Sequence, residues 1–135
     1  MAIFSNLGKY KDNGLLFLRI GIGTLFMFYG YPKLLGGPTM WAGIGGSMKH
    51  LGITFLPEMW GLLAALTETF GGFLLILGLA FRPVSFLLAF TMAVAALHHY
   101  KAGDGLQGYG HALEAGIVFL ALVLIGPGKY SVDGK

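Results

Sequence analysis

The chain has 135 residues, room for one domain; 56% of them are hydrophobic, only 11% are charged, and 23 are glycine. Soluble domains are about a quarter charged, and so few charges cannot cover a globule this small, so the composition excludes a cytosolic enzyme and a disordered chain and points to an integral membrane protein. The net charge of +3 comes from Lys and Arg scattered at the ends of apolar segments rather than gathered in a basic run, which argues against nucleic acid, and the absence of cysteine excludes disulfides, thiol catalysis and cysteine-held metal clusters on this chain.

The first apolar segment covers residues 15–35, interrupted by Arg19 and Lys33. It is too long for the core of a signal peptide and no small-x-small cleavage site follows it, so it is expected to stay as the first span. Next comes a loop in which Met40, Trp41, Ile44, Met48 and Leu51 share one helical face, predicting a short interfacial helix over residues 38–51. The second span is predicted at 59–81, the third at 83–100 and the fourth at 110–126. About 20 residues at 1.5 Å each cross a bilayer core of ~30 Å; the last two segments are short by that measure and can also be read as re-entrant. Phe81-Arg82-Pro83 predicts a tight hairpin with Pro at a helix start. The expectation is a single all-α membrane domain over 1–135, an antiparallel four-helix bundle with both termini on one side. Lys9, Lys11, Arg82, Lys129 and Lys135 fall on that side and Lys33, Lys49 and Lys101 on the other, which favours cytoplasmic termini and an inner (plasma) membrane location.

Helical spacing proposes an inward stripe for each span. These are Leu16, Arg19, Gly23, Phe26, Gly30 and Lys33 on the first, and Gly61, Ala64, Ala65, Glu68, Gly71 and Gly72 on the second. The third offers Leu87, Thr91, Val94, Ala95 and His98; the fourth offers His111, Glu114, Ala115, Val118, Ala121 and Leu122. Small residues on such stripes let helices approach closely in lipid. Counting along the spans, Tyr29, Glu68, His98 and His111 lie about 20–22 Å from the cytoplasmic ends, Glu114 about 17 Å and Lys33 about 27 Å, whereas Arg19 lies only about 6 Å up. Ionisable groups inside a membrane are costly unless paired, and they mark functional sites by default; each alone can also serve as structural glue or snorkel to the headgroups.

The layer suits three chemistries. A proton-coupled redox site at a quinone needs donors to two carbonyl oxygens and a carboxylate or His to exchange protons. Glu68, Glu114, His98 and His111 are the candidate proton-exchanging residues, and Arg19, Tyr29, Lys33 and Thr91 the candidate ligand-binding ones. A metal site would use His111-x-x-Glu114 with Glu68 and His98, but the second Glu-x-x-His of carboxylate-bridged bundles is missing, so no metal is assigned. A proton-linked transport path is the third, and four short helices leave little room for a gated pathway unless the protein oligomerises.

The spans also carry a recognisable pattern. Leu18-Arg19-Ile20 followed by Phe28-Tyr29-Gly30-Tyr31-Pro32-Lys33-Leu34 resembles the first-helix motif of the DoxX family, in which an "LR" leads to an "HGxxKL". Gly52-Ile53 with Pro57, then Glu68, Gly71, Gly72, Gly78 and Arg82, resemble its second-helix signature, and Glu114 with Gly126-Pro127-Gly128 through Ser131 and Asp133 resembles its C-terminal "GPGxxSxD". The resemblance covers about residues 14–133 and departs from the family pattern at Tyr29, where many relatives place His. It implies a bacterial four-helix inner-membrane protein similar to the small membrane subunit of a thiosulfate:quinone oxidoreductase. With no cysteine and no haem or flavin motif, such a chain would carry no cofactor of its own; it would shelter a quinone beside a catalytic partner.

These readings converge on a membrane component that binds a quinone or other small redox ligand within an oxidoreductase system, working with the lipid bilayer and a partner subunit or further copies of itself. The alternative is a non-enzymatic assembly protein or a small proton-linked transporter acting as an oligomer. Within the bundle, Arg19 and Glu68 are expected to communicate, directly or through a water or tyrosine bridge.

Overall fold

The computed structural model describes residues 3–134, so Lys135 lies outside the described residues. A short 3-10 segment, Ser5–Tyr10, leads into α1 (Lys11–Leu35). Then come α2 (Gly37–Gly45), prolonged by 3-10 turns over Gly46–Leu51, α3 (Pro57–Leu77), α4 (Phe81–Lys101) and α5 (Gly105–Ile125). The described chain is all-helical, and α1, α3, α4 and α5 are each long and apolar enough to cross a membrane. Both α4 and α5 have 21 residues, about 31 Å of helix, so the sequence segments that looked short are full spans. The extra length of α5 comes from 105–109, which precede the span predicted at 110–126.

Helix ends follow local chemistry. Pro57 sits in the first turn of α3, where its missing N–H is no loss. Gly78 closes α3 at φ +67°, and the Leu79 N–H returns to the Leu74 carbonyl, a left-handed glycine cap. The hairpin therefore turns at 78–80, three residues before Pro83, which lies inside the first turn of α4.

Packing begins with glycine. A Cβ at Gly23 would lie 2.5 Å from the Gly72 carbonyl, and one at Gly30 would lie 2.6 Å from the Thr69 nitrogen, so α1 and α3 touch backbone to backbone. Gly61 similarly receives the Trp41 backbone of α2, and Gly71 receives Val84 and Leu88 of α4. The α1 stripe is inward as expected, with Arg19, Gly23, Phe26 and Gly30 buried, and so is the α3 stripe, with Gly61, Ala65, Glu68, Gly71 and Gly72 buried.

Two stripes are corrected. On α4 the core side is Phe81, Val84, Ser85, Leu88, Ala89, Met92 and Ala96, not the 87/91/94/95/98 face, because the large apolar Leu88 and Met92 fill the interior. The Thr91 hydroxyl needs no partner from another helix, since it donates to the Leu87 carbonyl at 2.9 Å. On α5 the buried residues are Ala112, Ala115, Phe119 and Leu122, which pack on α4 with Leu88 and Met92. His111, Glu114 and Ala121 are exposed.

The helices form an open row, α1 on α3, α3 on α4, α4 on α5. Among the described residues no Cα of α1 comes within 8 Å of a Cα of α5. Only side chains bridge that seam, chiefly Phe26 and Phe119, edge to face at 5.0 Å.

One end of the row is tied shut. Arg19, 1% exposed, donates to the carbonyls of Leu75 (3.0 Å) and Ile76 (2.6 Å) at the end of α3, and to those of Pro127 (3.2 Å) and Tyr130 (2.8 Å) in the C-terminal segment. The Val132 and Asp133 N–H groups continue the tie to the Leu77 and Gly78 carbonyls. The Asp133 carboxylate accepts from the Ala80 and Phe81 N–H groups at 3.1 and 2.7 Å, capping α4. Asp12 accepts from the Lys129 N–H at 3.1 Å, so the two terminal segments share this end.

The expected link between Arg19 and Glu68 is therefore not formed. The guanidinium turns toward the C-terminal end of α3, whose last carbonyls have no intrahelical donor, and Glu68 is seven residues, about 10 Å, farther along that helix. Arg19→Ala should lower stability in detergent by at least about 2 kcal/mol, because four carbonyls, that of Leu75 buried and the others partly so, lose a charged donor. Combined with Glu68→Gln, the losses should add to within about 0.5 kcal/mol, measured by thermal unfolding of the single and double variants; rescue of Arg19→Ala by Glu68→Gln would contradict this geometry.

Candidate functional site

At the opposite end of the row the backbone leaves space. Glu68, 3% exposed on α3, is held by Lys33 of α1, whose Nζ lies 3.0 Å from Oε2 and 3.2 Å from Oε1. This contact exists because Gly30, one turn before Lys33, lets α1 settle against Glu68 and Thr69. Lys33 is itself positioned: its carbonyl, at the end of α1, accepts from the Gly36 N–H at 3.2 Å and from the Trp41 indole N–H at 3.0 Å. A buried carboxylate without this partner would be strongly unfavourable, so the pair is the electrostatic centre of the region.

Two cavities flank the pair. The first, about 410 Å³, lies at the splayed α1–α5 seam and is lined by Tyr29 and Phe26 of α1, Met92, Ala95 and His99 of α4, and His111 and Ala112 of α5, with Lys33 and Glu68 at its wall. Tyr29 and His111 meet edge to face at 5.7 Å across the seam. The second cavity, about 330 Å³, lies between α3 and α4 under α2. Its walls include Met48, Trp60, Leu63, Phe90, Thr91 and Val94, again with Lys33 and Glu68. The Trp60 indole nitrogen is buried there without a hydrogen-bond partner among the described residues.

Of the candidate residues, Glu68, Lys33, Tyr29 and His111 thus share one cavity, and Thr91 lines its neighbour. His98 stands apart, with its Nδ1 3.4 Å from the Nε2 of His50. His50, in the loop between α2 and α3, is pushed below the ordinary imidazole value by burial and by the nearby His98, Lys49 and Lys101. Arg19 is at the other end, and Glu114 points out from α5. His99, not His98, reaches the first cavity, where it also contacts Asp104 at 2.7 Å. One residue is a rotation of about 100° on a helix, and the misassigned α4 stripe carried that error to both histidines. Of the apolar walls, Phe26 was legible only as part of the inward α1 stripe, and Met92 was missed because the α4 stripe was placed on another face. Among the described residues no group of three or more His, Asp or Glu side chains gathers as a metal site.

The sequence profile of the DoxX family matches residues 14–101, well over half of the chain. The chain belongs to the DoxX family. An uncharacterised protein of Haemophilus influenzae is 34% identical over 97% of this chain and 96% of its own length. The Escherichia coli inner membrane protein YphA is 29% identical over 94% of this chain and 97% of its own. CatD of Bacillus subtilis, named as a candidate oxidoreductase, is 31% identical over 67% of this chain and 63% of its own. No solved structure matches. With four apolar helices and relatives of this kind, the protein is a multi-pass inner-membrane protein.

The DoxX-like motifs sort by place. Arg19, Gly78, Arg82, Ser131 and Asp133 gather at the tied end. There Arg82 Nε donates to the Val123 carbonyl at 2.8 Å, and the Ser131 hydroxyl donates to the Gly128 carbonyl at 2.6 Å. Tyr29, Gly30, Lys33 and Glu68 gather at the cavity end. The Lys33–Glu68 pair should show as energetic coupling. Lys33→Met alone should destabilise the protein in detergent, Glu68→Gln should offset much of that loss, and a double-mutant cycle should return about 0.5–3 kcal/mol; a coupling of zero would show that the contact carries no energy.

Proposed function

We propose that the cavity at the α1–α5 seam binds the head of a lipid-soluble quinone or similar small redox molecule, and that the protein is the membrane component of an oxidoreductase system. The observation that carries this reading is a buried, paired carboxylate on the wall of a cavity between the apolar helices that also holds a tyrosine and a histidine. Its volume falls in the range of small-molecule sites, about 300–1,000 Å³. The donor set fits two carbonyl oxygens: the Lys33 ammonium and Tyr29 hydroxyl from α1, and the His111 imidazole from α5. Phe26, Met92, Ala95 and Ala112 supply apolar walls that keep water out. Tyr29 stands where many family members have His, so His111 and Glu68 are assigned the proton exchange here.

A quinone, when bound, supplies the redox chemistry; this chain binds it, orients it and moves protons at Glu68 and His111. Electrons come from a partner, since the sequence has no cysteine and no haem or flavin motif. The name of CatD and the family resemblance support an oxidoreductase setting. Short-chain ubiquinone and menaquinone analogues, titrated into purified protein in nanodiscs, should quench tryptophan emission saturably. Lys33→Met or Glu68→Gln should weaken binding by about tenfold, and Tyr29→Phe by less. Absence of saturable binding by either analogue would rule the reading out.

A second reading, proton-linked transport, draws on one feature: the Lys33–Glu68 pair walls two cavities that lie at different helix seams. Proton flux in liposomes that Glu68→Gln abolishes would favour it.

We also infer that the tied end faces the cytoplasm. Lys9, Lys11, Arg82 and Lys129 lie at or near that end, while Lys33 is engaged by Glu68 and leaves Lys49 and Lys101 as the loop cations opposite. A reporter fused after the C-terminus should be active only as a cytoplasmic protein; an active periplasmic reporter at that site would reverse the orientation.

A further inference from the structure

The six acidic side chains can all be placed. Asp12 and Glu58 lie in the first turns of α1 and α3, Asp104 and Asp133 in loops, and Glu68 is paired with Lys33. Glu114 is left. It is the tenth residue of α5, about 14 Å from the start of a helix about 31 Å long, so it sits near the middle of the span. It is exposed there, and it makes no ion pair or hydrogen bond among the described residues. An intramembrane carboxyl facing lipid is costly, and such groups are found paired or turned into a protein interior. Its own bundle supplies neither.

The face that carries Glu114 has the pattern of a helix seam. Gly110, Glu114, Ile117, Ala121 and Leu124 are spaced 4-3-4-3, the step that keeps one face toward a parallel neighbour. All but the half-buried Gly110 are exposed, Ile117 at 61% and Leu124 at 83%. The outward residues of α3 and α4 include the bulky Phe70, Phe73, Phe86 and Phe90, whereas this seam has small residues, Gly110 and Ala121, on either side of the carboxyl.

We propose that this face of α5 packs against α5 of a second copy of the chain, related by a two-fold axis along the membrane normal. The argument for a second copy, rather than another protein, is self-complementarity. In a two-fold pair of parallel helices joined along this seam, the two Glu114 carboxyls lie at equal depth on either side of the axis, close enough to share a proton, and the small residues Gly110 and Ala121 meet their own counterparts. That arrangement takes both polar groups out of lipid, with no further component required.

The cysteine-free sequence makes the test direct. Ile117→Cys and Ala121→Cys are introduced singly, with Phe70→Cys and Phe86→Cys on the outer faces of α3 and α4 as controls. After mild oxidation of membranes containing the full chain, the α5 positions should give disulfide-linked dimer at least about fivefold above the controls, since only residues brought to within bonding range across a specific seam can link. In the Ile117→Cys background, Glu114→Leu should cut the dimer several-fold, while Glu114→Gln, which keeps a hydrogen-bonding side chain, retains it. Ala121→Phe, which fills the seam without touching the carboxyl, should also cut it, and this variant guards against misfolding of the leucine variant. Equal linking at all four positions, no linking from α5, or a dimer indifferent to both Glu114→Leu and Ala121→Phe would overturn the proposal.

Discussion

The guanidinium of Arg19 is the constraint on which the architecture rests. An α-helix leaves its last carbonyls without internal donors, and a chain that turns inside or near lipid cannot leave that to water. Arg19 meets the need from a neighbouring helix, with its fork divided between the end of α3 and the C-terminal segment. One buried side chain thereby joins three parts of the chain that are otherwise far apart in sequence. Asp133 completes the arrangement by satisfying the first N–H groups of α4, so the hairpin between α3 and α4 is capped on both sides by residues from elsewhere.

Tying one end frees the other. With α1 locked to α3 by the Gly23–Gly72 and Gly30–Thr69 approaches, and α5 locked to α4 by Ala115, Phe119 and Leu122, the α1–α5 seam is bridged by ring contacts alone, Phe26 with the buried Phe119 and Tyr29 with His111. Beyond the Phe26–Phe119 contact no packed backbone fills the space, and the cavity with Tyr29, His111 and the Lys33–Glu68 pair lies there. The stability of the closed end and the openness of the cavity end are two consequences of the same distribution of small residues and fixed donors. The family's motifs divide in the same way, into residues that hold backbone and residues that present side chains to space.

How much of this was legible in the sequence depended on what marked each helix face. On α1 and α3 the inward faces carry Gly23, Gly30, Gly71 and Gly72, which fit few other places, so spacing alone found them, and Glu68 and Lys33 with them. On α4 the apolar residues run nearly all round the helix, and Thr91 and His98 were allowed to choose the face. Thr91 satisfies its hydroxyl within its own helix and His98 finds His50 in a loop, so neither needed the core. The C-terminal turn could not be derived from local pattern at all: the role of Arg19 is set by carbonyls more than fifty residues away, and only the family resemblance hinted that the two belong together.

Glu114 shows where the reasoning about intramembrane charge needs a sharper form. The physical rule is that an ionisable group must leave lipid, and the sequence reading turned it into the stronger statement that the group must enter the interior of its own chain. For Glu68 the two statements coincide, because Gly30 brings Lys33 within reach. For Glu114 they separate: Ala112, Ala115 and Phe119 already occupy the side of α5 that faces the bundle, and rotating Glu114 inward would expose Phe119 and open a cavity against Leu88. The helix is therefore fixed by its large apolar residue, and the carboxyl is carried outward as a consequence. A group placed that way by packing can leave lipid only through something that arrives from outside the chain, which makes α5 the face of the protein least complete as a monomer.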